Sequence, residues 1–458
     1  MTAVILAGGK GTRITSLYAD IPKPMIPLNG MPVLERQLCC LHRQGVKDVV
    51  LITGYMHEKI KHYFGGGEQF NMRLSYIVEK EPLGTAGALF YLQERMKEDF
   101  LLLNGDLLFE ITLRRFWKAH MSTIEKGGIA TIMTHPNQHP YDSALILTGE
   151  DNRVTEWLHR EDERGWCHNR VNAGIHLFSS KVFLWLQERG LLEKAERLDL
   201  DREVLWPMIS EGLLYAYDSP EYVKDMGTPQ RCREAEEDLQ YGRVRGLSQS
   251  QKAVFLDRDG TINEEVGFLH SEEQFRLLPG AAEAIAMFNQ MGWLVIVVTN
   301  QPVIARGELT LKGLDNIHCK METLLGRRGA YVNAIYFCPH HPEKGFPGEC
   351  AEYKIECTCR KPKPGMLLEA AERFHIDLAS SWMAGDNERD MKAGELAGCH
   401  TAGLYGCVGE QTFRDLLEFA HFLKGEERME HGTREVPGGF GYTVSGIEPC
   451  QGQVDGSV

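Results

Sequence analysis

The sequence predicts an α/β protein with two domains, and three observations favour that fold class. Short apolar runs, which are typical of strands buried on both faces, alternate with amphipathic stretches whose apolar residues recur at helical spacing. This alternation occurs twice, and each time it begins with an apolar run that leads into a glycine- or aspartate-rich turn. A chain of 458 residues is also longer than one hydrophobic core usually organises.

The predicted strands and helices follow one another in both halves. The runs AVILA, DVVLIT and FLLLNGD predict strands in the first half, and AVFLD and WLVIVVTN predict strands in the second. The stretches MPVLERQLCCLHRQG and GAAEAIAMFNQMGW predict amphipathic helices. The polar stretch EAEEDLQYGRVRGLSQSQK, which contains glycines and serines, marks the domain boundary. We therefore expect domains at residues 1–235 and 252–425, a linker at 236–251 and a loosely ordered tail at 426–458.

Composition and charge argue against several function classes. The formal net charge is -14, so a concentrated basic face for nucleic acid is not expected. No apolar run approaches the roughly 20 residues of a membrane-spanning helix. The start MTAVILAGG lacks the basic segment and cleavage site of an export signal, and 12 cysteines without such a signal are typical of a reducing compartment. We expect a cytoplasmic protein without nucleic-acid or membrane partners.

A glycine-rich turn directly follows the first predicted strand in AVILAGGKGTR. Glycine lets the backbone turn tightly and point successive N–H groups into one concavity, which suits phosphate oxygens. Arg13 and Lys23 can neutralise phosphate charge. A plain tight turn would give the same pattern and remains the alternative. The turn residues that could contact phosphate are Gly8, Gly9, Gly11 and Thr12.

Two aspartates follow at suitable places for a metal that faces the phosphates. Asp106 ends the strand predicted by FLLLNGD, and Asp225 precedes a glycine in YVKDMGTPQR. Two carboxylates beside a triphosphate suit Mg²⁺, which prefers oxygen ligands. Aspartate at a strand end is also a common turn former, so a purely structural role remains open.

Together these motifs resemble the sugar-phosphate nucleotidyltransferases, the pyrophosphorylase family of nucleotide-sugar synthesis. The resemblance covers residues 1 to about 235 and rests on LAGGKGTR, PKPMIPL, EKEPLGTAGAL, LNGD, NAGIHLF and KDMGT. It implies a Rossmann-like, GT-A-like domain. In its reaction a sugar 1-phosphate attacks the α-phosphorus of a nucleoside triphosphate and pyrophosphate leaves, without a protein nucleophile.

The same resemblance implies roles for single residues. Glu79 and Gly84 would recognise the base, Asn172 and Gly174 would line the sugar pocket, and the aspartates named above would bind Mg²⁺. A carboxylate accepts two hydrogen bonds from the N1–H and amino group of guanine, which favours guanine among the bases.

One departure from the family pattern lies in VTEWLHRED. His159 and Arg160 stand where relatives commonly carry Glu-Lys. Arg160 can still meet a phosphate, whereas His159 departs from the usual sugar contact.

Four ordered motifs in the second half indicate phosphoryl chemistry. Asp257 and Asp259 lie two apart beyond a predicted strand, so their side chains emerge on one side. One can attack phosphorus and the other can carry a proton. A lone pair of this kind is often surface charge, but convergent motifs argue against that interpretation. The other motifs bring Thr299, Asn300 and Gln301 in VIVVTNQ, Arg360 and Lys361 in CRKPKPG, and Asp386 and Asp390 in SWMAGDNERD.

Residues 252 to about 410 resemble the haloacid dehalogenase superfamily of phosphatases, and within it the D-glycero-D-manno-heptose 1,7-bisphosphate phosphatases and their histidinol-phosphatase relatives. The resemblance implies that Asp257 forms an aspartyl-phosphate and that Asp259 is the general acid/base. It makes Thr299 and Lys361 contacts of the phosphoryl group. The residues implied to contact substrate are Asn300, Gln301, Arg360, and Glu265 to Phe268 in the following loop.

Magnesium in this half would be held by Asp257, Asp259 through its carbonyl, and Asp386, as the resemblance implies. Asp390 either belongs to the same site or supplies a capping charge at a helix start, and both interpretations remain open. Pro302 stands where relatives often have serine, which leaves the identity of the substrate less certain than the reaction.

The stretch FCPHHPEKGFPGECAEYKIECTCRKPKP admits three interpretations: a disulfide knot, a redox thiol pair or a metal site. A reducing compartment argues against disulfides, and a redox pair leaves the histidine and the third cysteine without a role. A Cys₃His set suits a closed tetrahedral Zn²⁺ site, and the spacing matches the zinc loop of the heptose bisphosphatases. The predicted ligands are Cys338, His340, Cys357 and Cys359, with His341 and Cys350 as bystanders.

The two halves together predict one bifunctional enzyme. Removing the C7 phosphate from a heptose 1,7-bisphosphate leaves a heptose 1-phosphate, the substrate class of the first half, so we expect synthesis of a GDP-activated heptose. One alternative is a mannose- or glucose-1-phosphate nucleotidyltransferase fused to an unrelated sugar- or histidinol-phosphate phosphatase. Another is a non-catalytic nucleotide-sugar sensor that regulates the phosphatase, an interpretation that His159 keeps open.

Overall fold

A mixed nine-stranded sheet forms the centre of the first domain. The computed structural model describes residues 1–9, 20–193, 196–345 and 347–431. The strands of this domain are β1 (Thr2–Ala7), β2 (Pro27–Leu28), β3 (Met31–Pro32), β4 (Asp48–Thr53), β5 (Arg73–Val78), β6 (Phe100–Asn104), β7 (Leu107–Glu110), β8 (Ala130–His135), β9 (Leu145–Thr148), β10 (Val154–Leu158), β11 (Val171–Phe178), β12 (Leu214–Asp218) and β13 (Tyr222–Asp225). The strand order is β10-β9-β11-β6-β1-β4-β5, and β8 pairs with both β11 and β12.

Parallel strands bring distant parts of the sequence to one edge of this sheet. Strand β1 is parallel to β4 and β6, and β5 is parallel to β4, so the carboxyl ends of these four strands meet. Gly8 follows β1, Glu79 follows β5, and Asp106 lies just beyond β6. Strand β13 pairs with β7 outside the main sheet and sets Asp225 opposite Leu107. The predicted nucleotide site therefore lies at this edge.

The helices of the first domain cover the faces of its sheet. The amphipathic helix predicted at residues 31–45 is observed at Val33–Arg43, and it buries Leu34, Leu38 and Leu41. The helices are α1 (Val33–Arg43), α2 (His57–Phe64), α3 (Leu89–Leu92), α4 (Leu113–Glu125), α5 (Lys181–Gln187), α6 (Trp206–Ser210) and α7 (Pro229–Gln240), with a wider helical turn at Leu200–Leu205.

The second domain contains a six-stranded parallel sheet. Its strands are β14 (Ala253–Leu256), β15 (Leu294–Asn300), β16 (Ala334–Cys338), β17 (Trp382–Gly385), β18 (His400–Leu404) and β19 (Gln411–Phe413). The order β16-β15-β14-β17-β18-β19 places β14 between β15 and β17. The carboxyl ends of these three neighbours carry Asp257, Thr299 and Asp386. The predicted α/β class is thus confirmed in both domains.

Six helices pack on this second sheet within the described residues. The two longest, at Leu311–Gly326 and Leu416–His431, have 16 residues each. In the part of the chain that the structure describes, no helix combines the length and the apolar character needed to cross a membrane. The helices are α8 (Ala281–Gln290), α9 (Pro302–Ala305), α10 (Leu311–Gly326), α11 (Gly365–Phe374), α12 (Glu388–Ala397) and α13 (Leu416–His431).

The expected linker at 236–251 differs from the structure at its start and in its packing. Helix α7 continues to Gln240, so residues 236–240 are helical. Leu247 is buried, and its N–H donates to Glu221 Oε1 at 2.9 Å. Gln251 Nε2 donates to the Gly246 carbonyl at 2.8 Å. Polar composition indicated a loose connection, but these hydrogen bonds and the buried leucine hold the segment against both domains.

The expected tail at 426–458 also begins too early. Helix α13 runs to His431, because its buried residues Leu416, Phe419 and Leu423 pack into the core of the second domain and support further turns. Residues 432–458 lie outside the described part of the chain.

Two candidate active sites and a candidate metal centre

A buried lysine holds the predicted nucleophile of the second domain. Lys361 Nζ lies 2.8 Å from Asp257 Oδ1 and 2.7 Å from Asp390 Oδ1. Burial raises the pKa of Asp257 to about 6, although Lys361 opposes the rise. Burial would lower the pKa of Lys361, but the two carboxylates outweigh it and raise that pKa. The Arg258 N–H also donates to Asp257 Oδ1, so Oδ2 is the oxygen that these contacts leave for a substrate.

The sequence left two roles open for Asp390, a cap at the start of a helix and a member of the carboxylate group of the site. The structure shows Asp390 in both positions. Its Oδ2 accepts from the N–H of Asn387 at 3.2 Å and completes a capping box at the start of α12. Its Oδ1 pairs with Lys361. It is fully buried, so this carboxylate both begins the helix and compensates the buried lysine charge.

The second aspartate of the DxD pair is held by an arginine that is 0% exposed. Arg258 Nη2 donates to Asp259 Oδ2 at 2.8 Å, and Asn263 and Gln301 donate to the same carboxylate. Burial would raise the pKa of Asp259, but Arg258 and these hydrogen bonds outweigh it and hold the pKa below its ordinary value. Asp259 therefore starts as an anion, which is the form that takes a proton from water.

Asp386 completes a group of carboxylates at the edge of the second sheet. Ligand oxygens of Asp257, Asp386 and Asp390 lie within 4.8 Å of one another. Burial, followed by the charge of Asp257, raises the pKa of Asp386. Such repulsion is relieved by a cation, and an all-oxygen donor set fits Mg²⁺. Gly260 makes room, since a Cβ there would lie 2.1 Å from Asp386 Oδ2.

Thr299 and the two residues after it make different hydrogen bonds in the site. Gln301 Nε2 donates to Thr299 Oγ1 and to Asp259 Oδ2, both at 2.8 Å. Asn300 exchanges two hydrogen bonds of 3.0 Å with the backbone of Lys361. Both amides were expected to contact substrate. These contacts fix the positions of Lys361 and Asp259. Substrate contact by Asn300 and Gln301 stays a prediction.

The expected substrate loop and Arg360 lie close to this site, since the charge of Glu265 contributes to the raised pKa of Asp386 and Arg360 directly precedes Lys361. Glu265 and Phe268 are exposed, and Phe268 is 41% exposed. The Arg306 guanidinium lies 4.2 Å from the centre of the Phe268 ring. Arg360 donates to the His340 carbonyl at 3.2 Å, and its half-buried position lowers its pKa. Sugar contact by these residues stays a prediction.

The four predicted metal ligands come together at the end of β16. The Sγ atoms of Cys338 and Cys357 are 3.6 Å apart, and those of Cys338 and Cys359 are 3.2 Å apart. His340 Nδ1 lies 3.3 Å from Cys359 Sγ. Burial, followed by the neighbouring thiol of Cys359, raises the pKa of Cys338. Three crowded thiols and one imidazole nitrogen fit a tetrahedral metal.

The bystander assignment agrees with this arrangement. The metal-ligand group found among the described residues contains Cys338, His340, Cys357 and Cys359, and neither His341 nor Cys350 belongs to it. The His341 N–H donates to the Tyr353 carbonyl, and the Cys350 N–H donates to the Ala305 carbonyl. Both residues therefore pin the loop through their backbone.

The glycine turn of the first domain is described only in part. Gly8 and Gly9 lie at the end of β1, whereas Gly11, Thr12 and Arg13 fall outside the described residues. A Cβ on Gly8 would lie 3.1 Å from Glu79 Oε2, so the turn and the predicted base contact are neighbours. Burial raises the pKa of Glu79 to about 7, and its Oε1 is buried with no hydrogen-bond partner within the described ranges.

Gly84 packs tightly, which explains why glycine stands there. Its φ is +78°, and a Cβ would lie 2.5 Å from the Leu198 carbonyl oxygen. Leu198 bonds to both sides of the same loop, donating to the Leu83 carbonyl and accepting from Ala86 N–H at 2.9 Å each. This glycine shapes the loop beneath the predicted base site.

A protein cation accompanies each predicted magnesium ligand of the first domain. Lys23 Nζ contacts Asp106 Oδ2, and Arg231 Nη1 lies 2.7 Å from both carboxylate oxygens of Asp225. The Met226 N–H donates to the Asp106 carbonyl at 2.8 Å, which joins the two segments. The donors fit Mg²⁺ by type, but both carboxylates are already neutralised. Their metal role stays a prediction.

The expected sugar residues line one cavity with these aspartates, but Arg160 lies apart. A cavity of about 970 Å³ is lined by Asn172, Gly174, Asp106 and Asp225 among others. Asn172 Oδ1 accepts from the Gly174 N–H at 3.1 Å. Arg160 is exposed and does not line this cavity. It lies beyond the end of β10, so its predicted phosphate contact has no support here.

Sequence reasoning missed several residues of both sites. Asp201 lines the cavity, and burial raises its pKa to about 6. Its Oδ1 accepts from Asn172 Nδ2 at 3.3 Å. Arg258 lies between the two aspartates of the DRD motif, and this position in the sequence could have indicated its role. Gly260 follows the same motif.

Comparisons with known proteins agree with these two halves. A family model described as nucleotidyl transferase matches residues 2–241, and one described as haloacid dehalogenase-like hydrolase matches residues 176–398. The C-terminal part is 44% identical over 152 residues to the D-glycero-beta-D-manno-heptose-1,7-bisphosphate 7-phosphatase of Vibrio cholerae, which covers 33% of this chain and 80% of that protein.

Two solved structures each resemble one half. HddC from Yersinia pseudotuberculosis covers 52% of this chain and 99% of its own, with 25% identity and a TM-score of 0.44. The D,D-heptose 1.7-bisphosphate phosphatase from B. bronchiseptica, complexed with magnesium and phosphate, covers 38% and 99%, with 35% identity and a TM-score of 0.35. The chain belongs to the nucleotidyl transferase family, and its C-terminal domain belongs to the haloacid dehalogenase-like hydrolases in the family of the heptose-bisphosphate 7-phosphatases.

Proposed function

We propose that the protein makes a GDP-activated D-glycero-D-manno-heptose in two steps. The phosphatase domain removes the C7 phosphate from the heptose 1,7-bisphosphate, and the nucleotidyltransferase domain transfers a guanylyl group to the resulting heptose 1-phosphate. The observation that carries the proposal is the pairing of these two domains in one chain. The product of one reaction belongs to the substrate class of the other.

The phosphatase step begins with the Asp257 carboxylate. An Asp257 oxygen attacks the phosphorus, the bond between phosphorus and the C7 oxygen breaks, and an aspartyl-phosphate forms. The leaving C7 oxygen takes a proton that Asp259 passes on from solvent, which leaves Asp259 ionised. Water then attacks the aspartyl-phosphate, Asp259 accepts the water proton, and orthophosphate leaves while Asp257 is restored. Lys361, paired with both Asp257 and Asp390, neutralises charge on the phosphoryl group.

The nucleotidyl transfer needs positioning rather than a protein nucleophile. A phosphate oxygen of the heptose 1-phosphate attacks the α-phosphorus of GTP, and the bond to the β-phosphate breaks to release pyrophosphate. Lys23 neutralises phosphate charge, and Asn172 and Gly174 hold the sugar. The buried Glu79 oxygen without a partner within the described ranges supports guanine, whose N1–H and amino group would satisfy it.

Two kinds of metal fit the donor sets. Asp257 and Asp386, with the Asp259 carbonyl, would hold Mg²⁺, which supplies charge neutralisation at the phosphoryl group. Asp106 and Asp225 would hold Mg²⁺ beside the nucleotide phosphates. Zn²⁺ on the Cys₃His set would be structural, because a closed four-ligand site leaves no position for water.

The test supplies purified protein with heptose 1,7-bisphosphate, Mg²⁺ and each nucleoside triphosphate in turn. We expect orthophosphate first, then pyrophosphate with GTP, and a GDP-heptose identified by its mass. Pyrophosphate release with mannose or glucose 1-phosphate alone would instead establish a hexose nucleotidyltransferase with a separate phosphatase. Nucleotide binding without pyrophosphate release from any sugar phosphate would indicate a sensor domain.

A further inference from the structure

Helix α10 of the phosphatase domain packs against the nucleotidyltransferase domain. Tyr141 Oη donates to the Thr323 carbonyl at 2.9 Å, and Thr323 Oγ1 exchanges hydrogen bonds with the backbone of Cys167 at 3.0 and 3.1 Å. A Cβ on Gly326 would lie 2.9 Å from Pro140. The contact is therefore close and specific along the last turns of this helix.

Glu322 is the charged residue at the centre of this contact. Its side chain is fully buried, and Oε1 pairs with Arg170 Nη1 at 3.0 Å while Oε2 contacts His168 Nδ1. Burial would raise the pKa of Glu322, but Arg170 and His168 outweigh it and lower the pKa to about 2. The residue is thus an anion whose two cationic partners both belong to the other domain.

These partners lie immediately before the strand that carries the predicted sugar pocket. Strand β11 begins at Val171, directly after Arg170, and contains Asn172 and Gly174. Arg170 also pairs with Asp218 at 2.8 Å and donates to the Asn333 carbonyl of the phosphatase domain at 3.3 Å. Arg170 Nη1 also donates to the neighbouring Asn169 carbonyl at 2.8 Å. Two of its four described side-chain contacts, those with Glu322 and Asn333, therefore come from the second domain.

Removing Glu322 would leave a buried arginine with only part of its compensation. Breaking a buried ion pair from one side is costly, because the remaining charge must find water or another partner. Arg170 meets that need by moving, and movement at the first residue before β11 displaces Asn172. A displacement of about 1 Å is enough to weaken a positioned contact.

We propose that Glu322 of the phosphatase domain is a positioning residue for the nucleotidyltransferase. Its carboxylate fixes Arg170, and Arg170 in turn fixes the sugar-1-phosphate pocket. The proposal rests on the proposed function insofar as that pocket takes the heptose 1-phosphate. It goes beyond that function because it makes one domain a structural part of the other domain's substrate site.

The test measures both activities of the full-length chain carrying Glu322→Gln. We expect KM for the sugar 1-phosphate to rise about tenfold, while KM for GTP and kcat stay within about twofold. Phosphatase kcat/KM should also stay within about twofold, since Glu322 does not touch Asp257, Asp259 or Lys361. Glu322→Asp keeps the charge and should recover part of the loss.

Asp315→Asn is the matched control on the same helix. Asp315 contacts the same histidine, at 2.9 Å from His168 Nε2, but its side chain is 60% exposed and does not touch Arg170. We expect wild-type kinetics from it, since exposed ion pairs contribute little. The double variant Glu322→Gln with Arg170→Gln removes the uncompensated charge. Its fold-increase in KM should be smaller than the product of the two single fold-increases.

The outcomes separate this proposal from the proposed function. If the wild type turns over no heptose 1-phosphate with GTP, the proposed function fails. If the wild type is active and Glu322→Gln leaves KM for the sugar phosphate unchanged, the positioning role is wrong. Equal loss of both activities would also overturn it, because that result would indicate a general loss of folding. Additive single effects in the double variant would overturn it as well, because Glu322 and Arg170 would then act independently.

Discussion

At the scale of single residues, the phosphatase site depends on charges that are buried and matched. Lys361 and Asp390 are fully buried, and with Asp257 they form a chain in which one cation serves two anions. Arg258, the middle residue of the DRD motif, compensates the charge of Asp259. Small changes of shape next to these groups should therefore cost activity before they cost stability.

Gly260→Ala tests that expectation. The new Cβ would lie 2.1 Å from Asp386 Oδ2, so the carboxylate has to move. We expect phosphatase kcat to fall by about 100-fold or more, with nucleotidyl transfer and the unfolding temperature nearly unchanged. Gly398→Ala is the matched control, because its φ of +86° imposes a similar backbone cost while its Cβ meets nothing within 4 Å. Equal losses in the two variants would contradict the steric explanation.

Glu79 predicts a pH dependence of nucleotide binding. Burial raises its pKa to about 7, so the carboxylate takes up a proton as the pH falls through that value. A protonated carboxyl loses its capacity to accept both guanine hydrogen bonds. We expect GTP affinity to fall by up to about tenfold per pH unit below 7, measured by calorimetry. The Glu79→Gln variant should bind more weakly and lack this slope. A parallel slope in that variant would assign the titration to another group.

At the scale of elements, parallel strands explain why residues far apart in sequence act together. Strands β14, β15 and β17 are neighbours, so their carboxyl ends bring together Asp257, Thr299 and Asp386. The loop after β16 contributes Cys338 and His340, and a segment 19 residues beyond Cys338 returns with Cys357 to face them. Arg360 and Lys361 follow that return directly. The loop therefore places Lys361 beside Asp257, the predicted nucleophile.

Replacing Cys359 by serine should loosen this delivery. We expect loss of one bound zinc per chain, measured by metal analysis, and a fall in phosphatase activity of about tenfold or more because Lys361 is no longer held. Nucleotidyl transfer should persist. Cys350→Ser is the control, since Cys350 lies in the same loop but outside the four-ligand group. Unchanged metal content in the Cys359 variant would remove the zinc interpretation.

At the scale of the whole molecule, the two candidate active sites lie at different sheet edges. The phosphatase residues lie at the carboxyl edge of the second sheet. The cavity that contains Asp106 and Asn172 extends to residues 291–294, which lie at the opposite, amino edge of that sheet. We therefore expect the heptose 1-phosphate to pass through solvent between the two reactions.

Two complementary variants test the separation. Asp257→Asn should lose orthophosphate release by at least about 1000-fold and keep nucleotidyl transfer, and Asp106→Ala should do the reverse. A mixture of the two variants should make GDP-heptose from the bisphosphate nearly as fast as wild-type protein that supplies the same concentration of each working site. A mixture that makes no product, with each single activity intact, would contradict passage through solvent.

Much of the fold was predictable from short stretches. Apolar runs such as DVVLIT predict strands because burial on both faces requires continuous hydrophobic sequence, and that strand is observed at Asp48–Thr53. The packing of the linker and the end of α13 was not predictable, because Leu247 and Leu423 are buried by residues that are distant in sequence. Asn300 and Gln301 illustrate the same limit within a site, because a polar side chain in a motif does not reveal which neighbour it will bond.

The sequence by itself determined the two α/β domains, the DxD pair and the Cys₃His set, because these depend on local order and spacing along the chain. Only the tertiary structure decided that Arg258 holds Asp259, that Asp390 compensates Lys361, and that Glu322 reaches Arg170 across the domain boundary. The physical reason is that the pairing of buried charges is set by which groups the fold excludes from water together.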